Sequence, residues 1–322
     1  MAWDGTAWVK LKRPLTEEEN ARQLKVDVAA SEQPKDDFSV FSMNEVFLES
    51  TNSAFQQRGL LTYGCLGIVV VAAFFAWTML WCLNNPPGNG SIHGATLAIM
   101  YGGAVFFLLF ALAVLFVGFW GLSQENFTWT RVPVRFNRQT RMVYAFRGAG
   151  SRGVISVPWE KAFFFIERRP RDPISRAYVF NIRCHVLNDT GLVIQSFSVG
   201  SRVATIDDEK TENGRSIVNG LNCQFEYLRQ YMEQGPRALT YPDLVPTKVS
   251  LANSLRIWRH DDHAILAERN LFTTLLVVVL SPFIYFTAVL HYIGQRTSRQ
   301  PAWPPEVERE CERAPLDESV RA

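Results

Sequence analysis

The chain has no pair of cysteines at metal-binding or redox spacing. Its five, Cys65, Cys82, Cys184, Cys223 and Cys311, form no CxxC and leave an odd member, which argues against a zinc ribbon or a disulfide framework. Small, apolar, reduced thiols are the expectation, with Cys65 and Cys82 inside an apolar run. No GxSxG, no HExxH and no carboxylate pair with an evident partner occurs, so the short signatures of serine hydrolases and zinc peptidases are missing. An early apolar stretch is missing as well. Residues 1–55 carry scattered charges, with Lys10, Lys12 and Arg13 against Glu17, Glu18 and Glu19, and hold no cleavable signal.

Charge is also missing from two long runs, Gly59 to Leu83 and Ala95 to Leu122, and from the loop Asn84 to Gly94 between them. Each run exceeds the roughly 20 residues that a helix needs to cross a bilayer core. The pair reads as a transmembrane helical hairpin whose first span serves as the insertion signal. The spans hold no ionisable side chain of the kind that marks a proton or ion path, which weakens a pump or transporter reading. Trp77, Trp81, Phe119 and Trp120 lie near the span ends, where amphipathic rings settle at headgroup depth.

Net charge is only +2, but its distribution is uneven. From Ser123 to Pro170 stand nine basic residues, Arg131, Arg135, Arg138, Arg141, Arg147, Arg152, Lys161, Arg168 and Arg169, against three acids, Glu125, Glu160 and Glu167. Basic residues beside spans stay cytoplasmic. That places the N-terminal arm, with Arg58, and the central domain in the cytoplasm, and the uncharged loop outside. A third apolar run, Leu271 to Ile293, is long enough to cross but contains Ser281-Pro282 near its middle, and proline removes a helical hydrogen bond. Arg256, Arg259 and Arg269 before it nearly balance Arg296, Arg299, Arg309 and Arg313 after it. A kinked third span is the preferred reading, and a re-entrant turn with both ends inside is the alternative.

Between the spans the period changes. Tyr178, Phe180, Ile182, Cys184 and Val186 alternate with more polar neighbours, and Val193, Phe197 and Val199 continue the pattern after Asn188-Asp189-Thr190-Gly191, which predicts two strands and a turn. Trp129–Phe136 and Met142–Arg147 flank Asn137-Arg138-Gln139-Thr140 as a hairpin. Val154–Val157 and Ala162–Arg168 add two candidate strands around Pro158-Trp159. Ile217, Leu221, Phe225, Leu228 and Met232 share one helical face that stops at Gln234-Gly235-Pro236. About six antiparallel strands and a helix define a small α+β domain. The predicted division is 1–58 as a cytoplasmic arm, 59–122 as the hairpin, 123–250 as the cytoplasmic α+β domain, 251–293 as a juxtamembrane segment with a third transmembrane or re-entrant helix, and 294–322 as a proline-containing tail.

That order of elements resembles the bacterial PH-like domains attached to membrane anchors. A more specific resemblance rests on scattered words: Met43-Asn44-Glu45-Val46-Phe47-Leu48-Glu49, Phe136-Asn137-Arg138, Val157-Pro158-Trp159, Tyr231-Met232-Glu233-Gln234-Gly235-Pro236 and Pro301-Ala302-Trp303-Pro304. Together they resemble a proteobacterial family of uncharacterised membrane proteins, domain of unknown function 6708, often encoded near type VI secretion and toxin genes. The resemblance spans most of residues 40–310. It implies a bacterial inner-membrane location and a protein partner such as a toxin or secretion component, and it supplies no catalytic residue.

Other motifs in the chain invite a chemical reading. Gly148-Ala149-Gly150-Ser151-Arg152-Gly153 fits GxGxxG, but Val154-Ile155-Ser156-Val157 after it is β-like where a dinucleotide site needs a helix. A kinase reading, with Lys161 downstream, lacks the catalytic and metal-binding loops, so Gly150→Ala is expected to leave function unchanged. His260-Asp261-Asp262-His263 is the densest ligand-like cluster, yet a metal would need further ligands; a polar juxtamembrane turn is the plainer reading. His93, His185 and His291 stand alone. The basic stretch could draw anionic headgroups at about 1 kcal/mol per residue, but a solvated sheet face explains the same arginines. No nucleic-acid motif accompanies them. The proline tail, with Trp303, can dock on a partner or on its own domain. The expectation is therefore a non-enzymatic inner-membrane interaction protein without metal or cofactor, an immunity or accessory factor; the alternative is a membrane-anchored PH-like lipid- or envelope-sensing module.

Overall fold

The alternating pattern of residues 178–205 folds as two long antiparallel strands, and much of the remaining chain assembles as their neighbours and covers. The structure, a computed structural model, describes all residues except 1, 4–7, 53–54, 57, 86–93, 151–152, 172–175, 261, 263–265, 267–269 and 313–322. In chain order the strands are β1 Ala2–Trp3, β2 Trp8–Val9, β3 Gln23–Leu24, β4 Val40–Met43, β5 Phe47–Ser50, β6 Val134–Asn137, β7 Met142–Phe146, β8 Val154–Pro158, β9 Ala162–Arg169, β10 Tyr178–Leu187 and β11 Val193–Thr205. The α-helices are α1 Glu17–Ala21, α2 Leu60–Asn84, α3 Gly94–Glu125, α4 Glu212–Gln234, α5 Leu251–Trp258, α6 Leu271–Arg296 and α7 Pro305–Cys311. The chain separates into two compact units, one of Met1–Gln56, Arg131–Lys248 and Gln300–Ala322, the other of Gln57–Thr130 and Val249–Arg299.

The first unit holds two larger antiparallel sheets and one long helix. One sheet has the order β4-β5-β6-β7-β8, a meander in which each strand pairs with its sequence neighbour, and the other has the order β11-β10-β9-β3. A third, two-stranded sheet pairs β1 with β2. Leu48, Phe136 and Val143 from the meander, Phe164 and Phe180 from the second sheet, and Leu221, Phe225 and Leu228 from α4 form one core. Trp159 sits at its centre, fully buried, with ring centroids 6.1 Å from Phe136, 5.4 Å from Phe164 and 6.2 Å from Phe225. A ring of that size removes 150–250 Å² of surface from water, and its indole N–H needs a partner, which Glu233 provides at 2.9 Å.

Two expected boundaries move. The arm predicted at 1–58 is not a separate appendage, because β3, β4 and β5 pair into the two sheets. The tail predicted at 294–322 divides at Gln300, and Trp303, Val307 and Cys311 are buried within the first unit. The reason is the pleat. In β5, β6 and β7, Leu48, Phe136 and Val143 face the core, so Glu49, Arg135 and Tyr144 face away and need a second cover. Those residues are themselves half-buried or buried, with Arg135 opposite both Glu49 and Tyr144 in register.

The second unit contains three helices long and apolar enough to cross a membrane: α2, the described part of α3 from Ala98 to Glu125, and α6. α6 runs without interruption through Pro282. α2 and α3 pack against each other through small residues, since a Cβ added at Gly121 would collide with Cys65 Sγ and one at Gly118 would lie 2.6 Å from a methyl of Val69. Small residues let helix backbones approach where water supplies no hydrophobic drive between them. The outward side chains are apolar and uncovered: Val71 is 69% and Leu271 84% exposed.

Candidate functional site

Among the described residues, three of the clusters of buried polar groups join distant segments of their unit, and each is built by a different local rule. The first lies on the face of β9, β10 and β11 away from the core. Arg183 and His185 on β10 project there beside Ser196 on β11, all buried. Thr16 caps the short helix α1 through a reciprocal box with Glu19, and this fixes Glu19 where it accepts from Arg13 and reaches His185 Nε2 at 3.1 Å. His185 Nδ1 meets Ser196 Oγ at 3.0 Å, and Arg183 donates to the same oxygen at 3.1 Å and pairs with Glu167 at 2.8 Å.

Serine, histidine and carboxylate in that order carry the parts of a proton relay. Here the serine oxygen is already held by Arg183, and the histidine is 1% exposed, so the array serves to latch the N-terminal arm over the sheet. Burial pulls the His185 imidazole below its ordinary pKa, against the pull of Glu19. Burial pushes the Glu19 carboxyl up, but Arg13, the Thr16 N–H and His185 together hold it down to about 2.

The second place is the cradle of the tail. Arg135 bonds Glu49 at 2.7 Å and lies 4.2 Å from the centroid of Phe47 and 4.7 Å from that of Trp303. Trp303 Nε1 donates to the same Glu49 carboxylate at 3.0 Å. Further along, Asn137 donates to the Glu310 carbonyl at 2.7 Å and Tyr144 donates to the Glu310 carboxylate. A guanidinium held between two rings and a carboxylate combines cation–π attraction with a charged hydrogen bond.

The third place is the end of the helical unit where Arg58 is buried. Its guanidinium donates to the carbonyls of Trp129 at 2.6 Å, Thr130 at 2.9 Å and Gly294 at 3.0 Å, to Ser298 Oγ at 2.6 Å and to the Glu125 carbonyl. The Glu125 carboxylate accepts from Gly59 N at 3.0 Å, Thr62 N at 2.8 Å and Thr62 Oγ1 at 2.7 Å. The charges follow the helix ends. A cation sits at the last carbonyls of α3 and α6, and an anion at the first N–H groups of α2, where backbone groups lack helical partners and dipoles favour those signs. Burial lowers the Arg58 pKa to about 10, against the pull of Glu125, which leaves it charged at neutral pH.

The residues singled out in the sequence fall as follows. Gly148 and Gly153 close the turn between β7 and β8, with Gly148 N donating to Gly153 O at 3.0 Å, and no helix follows, while Ser151 and Arg152 lie outside the described residues. Gly150 has φ +79°. Lys161 is exposed in a single helical turn after β8. In the cluster at 260–263, Asp261 and His263 lie outside the described residues; Asp262 accepts from Arg259 at 2.7 Å. Among the described residues no group of three His, Cys, Asp or Glu side chains is placed to hold a metal ion. His93 lies outside the described residues, whereas His185 and His291 each bond a serine.

Four arginines of the basic stretch are engaged within the first unit rather than left to solvent. Arg135 pairs with Glu49, Arg141 with Glu160 and Glu233, Arg168 with Asp208 and Arg169 with Glu167. An apolar cleft of about 920 Å³, lined by α2 and α3 from Tyr63 to Val114 and by Phe286, offers no charged side chain and suits hydrocarbon.

These features define a mixed α+β protein with two larger antiparallel sheets and three helices of membrane-crossing length and composition. The chain belongs to a family of unknown function, DUF6708, whose model matches residues 111–315, more than half of its 322 residues. No curated protein and no solved structure matches it. The words that carried the resemblance in sequence turn out to be joints of the first unit. Trp159 bonds Glu233, Tyr231 donates to Asn44 O at 2.9 Å, Asn137 bonds Glu310, and Trp303 bonds Glu49. Sequence reading missed Arg13, Glu19, Arg58, Glu125 and Ser196. Only Thr16-x-x-Glu19 carried a signal, a capping box.

Proposed function

We propose that this chain is a membrane-anchored, non-enzymatic interaction protein of the bacterial inner membrane. On this reading its helices hold the two-sheet domain at the cytoplasmic face, and the domain binds a protein partner of a type VI secretion or contact-dependent toxin system as an immunity or accessory factor. The observation that carries the reading is the union in one chain of helices exposing Val71, Phe74, Phe106 and Phe116 with a domain whose buried polar groups are engaged in internal joints. Exposed apolar surface of that extent demands lipid or protein cover. The secretion setting is supported by the family resemblance alone.

The alternative, a PH-like headgroup sensor, draws on the basic stretch. Pairing of Arg135, Arg141, Arg168 and Arg169 with carboxylates of the same domain removes much of the free charge that such a sensor would use, so partner binding is the better supported reading. Growth competition between a strain lacking the gene and its parent, with and without active secretion in the parent, tests it. Loss of the mutant only against a secreting parent marks an immunity factor. Equal survival removes immunity and leaves the accessory role, which predicts reduced secretion from the mutant.

A further inference from the structure

The two larger sheets close their long edges with segments of the same chain, with one exception among the described residues. Val245 N donates to Val40 O at 2.8 Å beside β4. Beside β11, Lys12 N donates to Val193 O at 2.7 Å, Val193 N to Arg13 O at 2.8 Å and Gly200 N to Thr51 O at 2.9 Å. β3 covers β9 and is itself only two residues long. β8, Val154–Pro158, pairs with β7 on one side and, among the described residues, with no strand on the other. An open edge is a template for another chain, and proteins blunt such edges with charge, brevity or a cover.

The backbone of β8 fixes what that edge offers. Trp159 N donates to Arg141 O at 2.8 Å and Arg147 N donates to Gly153 O, so the odd-numbered positions of β8 bond to β7. Alternation then turns the N–H and C=O groups of Val154 and Ser156, and the C=O of Pro158, to the open side. Pro158 has no N–H to leave unmet there, which suits an edge position. Ser156 and Pro158 are exposed, Val154 is half-buried, and no charged side chain stands in Val154–Pro158.

We infer that β8 pairs with β8 of a second copy of this chain, antiparallel and centred on Ser156. In that register the two Ser156 residues exchange backbone hydrogen bonds, and each Val154 N–H donates to the other copy's Pro158 carbonyl. On the core face Val157 meets the second copy's Ile155, a β-branched pair of the kind that stabilises a sheet. On the outer face two small hydroxyls meet at the dyad. Every facing pair is apolar or hydroxylic, so the edge is complementary to itself and no like charges oppose. The pairing consumes the open edge of both copies, and assembly stops at the dimer. Five residues span about 17 Å, a short and reversible contact. The inference concerns the sheet unit alone and stands apart from the membrane and partner readings above.

The test is disulfide trapping in membranes carrying the full chain, in a Cys82→Ala background that removes the exposed native thiol. Residues that bond each other across an antiparallel pair have Cα atoms about 5.5 Å apart, within disulfide reach. Ser156→Cys is therefore expected to give a covalent dimer under mild oxidation, reversed by reductant, whereas Asp189→Cys, exposed between β10 and β11, stays monomeric. Differently tagged copies carrying Val154→Cys and Pro158→Cys are expected to link to each other and not to themselves. Adding Ser156→Pro to both removes the central donors without removing a bond to β7, and that link is expected to be lost. A Ser156→Cys dimer no more abundant than that of Asp189→Cys overturns the self-pairing, as does a link that survives Ser156→Pro. Trapping of Ser156→Cys on a different protein overturns it equally, by giving the edge to a foreign strand.

Discussion

The two units handle buried polarity in opposite ways. In the sheet unit it is distributed: Arg183, His185 and Ser196 lie under the arm, Glu49 and Arg135 under the tail, and Glu233 against Trp159. In the helical unit the largest cluster is at one end, around Arg58 and Glu125, while the helices beyond are apolar. The difference follows from solvent. A sheet strand alternates faces, so every second residue can be polar if another segment covers it. A helix surrounded by hydrocarbon can afford unsatisfied backbone only at its termini, and that is where the charged groups belong.

The comparison breaks most severely at Arg58. Arg58→Ala leaves several buried carbonyls without a donor at about 1–3 kcal/mol each, so the folded yield of the full chain in detergent should collapse. Arg58→Lys should recover part of it, because an ammonium keeps the charge but lacks the planar fork. Next comes the tail joint. Trp303→Ala removes a buried ring and one donor to Glu49, and a loss of about 3–5 kcal/mol, read as a lower unfolding midpoint, is expected. An unchanged midpoint would mean that the tail rests on the sheet without fastening it.

Gly121→Leu sharpens the contrast from the helical side. The added atoms meet Cys65, and overpacking by about 1–3 kcal/mol should loosen the α2–α3 pair without altering the sheet unit's intrinsic fluorescence. Gly150→Ala is smaller still. From sequence alone no effect is expected, but at φ +79° a side chain is strained by about 1–2 kcal/mol.

The latch under the N-terminal arm predicts a pH dependence. His185 has its pKa lowered in the folded state by burial, with Glu19 opposing, so the unfolded chain takes up a proton more readily. Stability is therefore full above the unfolded value near 6.5 and declines as pH falls below it. Glu19, held down to about 2 from 4.5, adds a second decline as pH drops through that lower range. His185→Gln should abolish the first decline and keep the second, as followed by thermal unfolding between about pH 7.5 and about pH 2.

Much of this was legible in the chain because strong periodicity needs no partner to be seen. β9, β10, β11 and α4 appear where alternation and the Leu221-Phe225-Leu228 spacing put them. β4 and β5, four residues each, are too short to show a period, and the pairing of β5 to β6 across α2 and α3 is invisible locally. Arg58 and Glu125 read as ordinary flanking charges, since nothing in sequence joins them to Gly294 or Ser298. Trp303 was recognisable as a docking residue, but not its seat beside Arg135, because that seat depends on which face of β6 turns away from the core.

A membrane anchor of this kind requires that α2 and α3 face lipid. Alkaline carbonate extraction of membranes carrying the full chain tests this directly: the protein is expected to stay in the pellet with integral membrane proteins, and its release into the supernatant would rule out a spanning anchor.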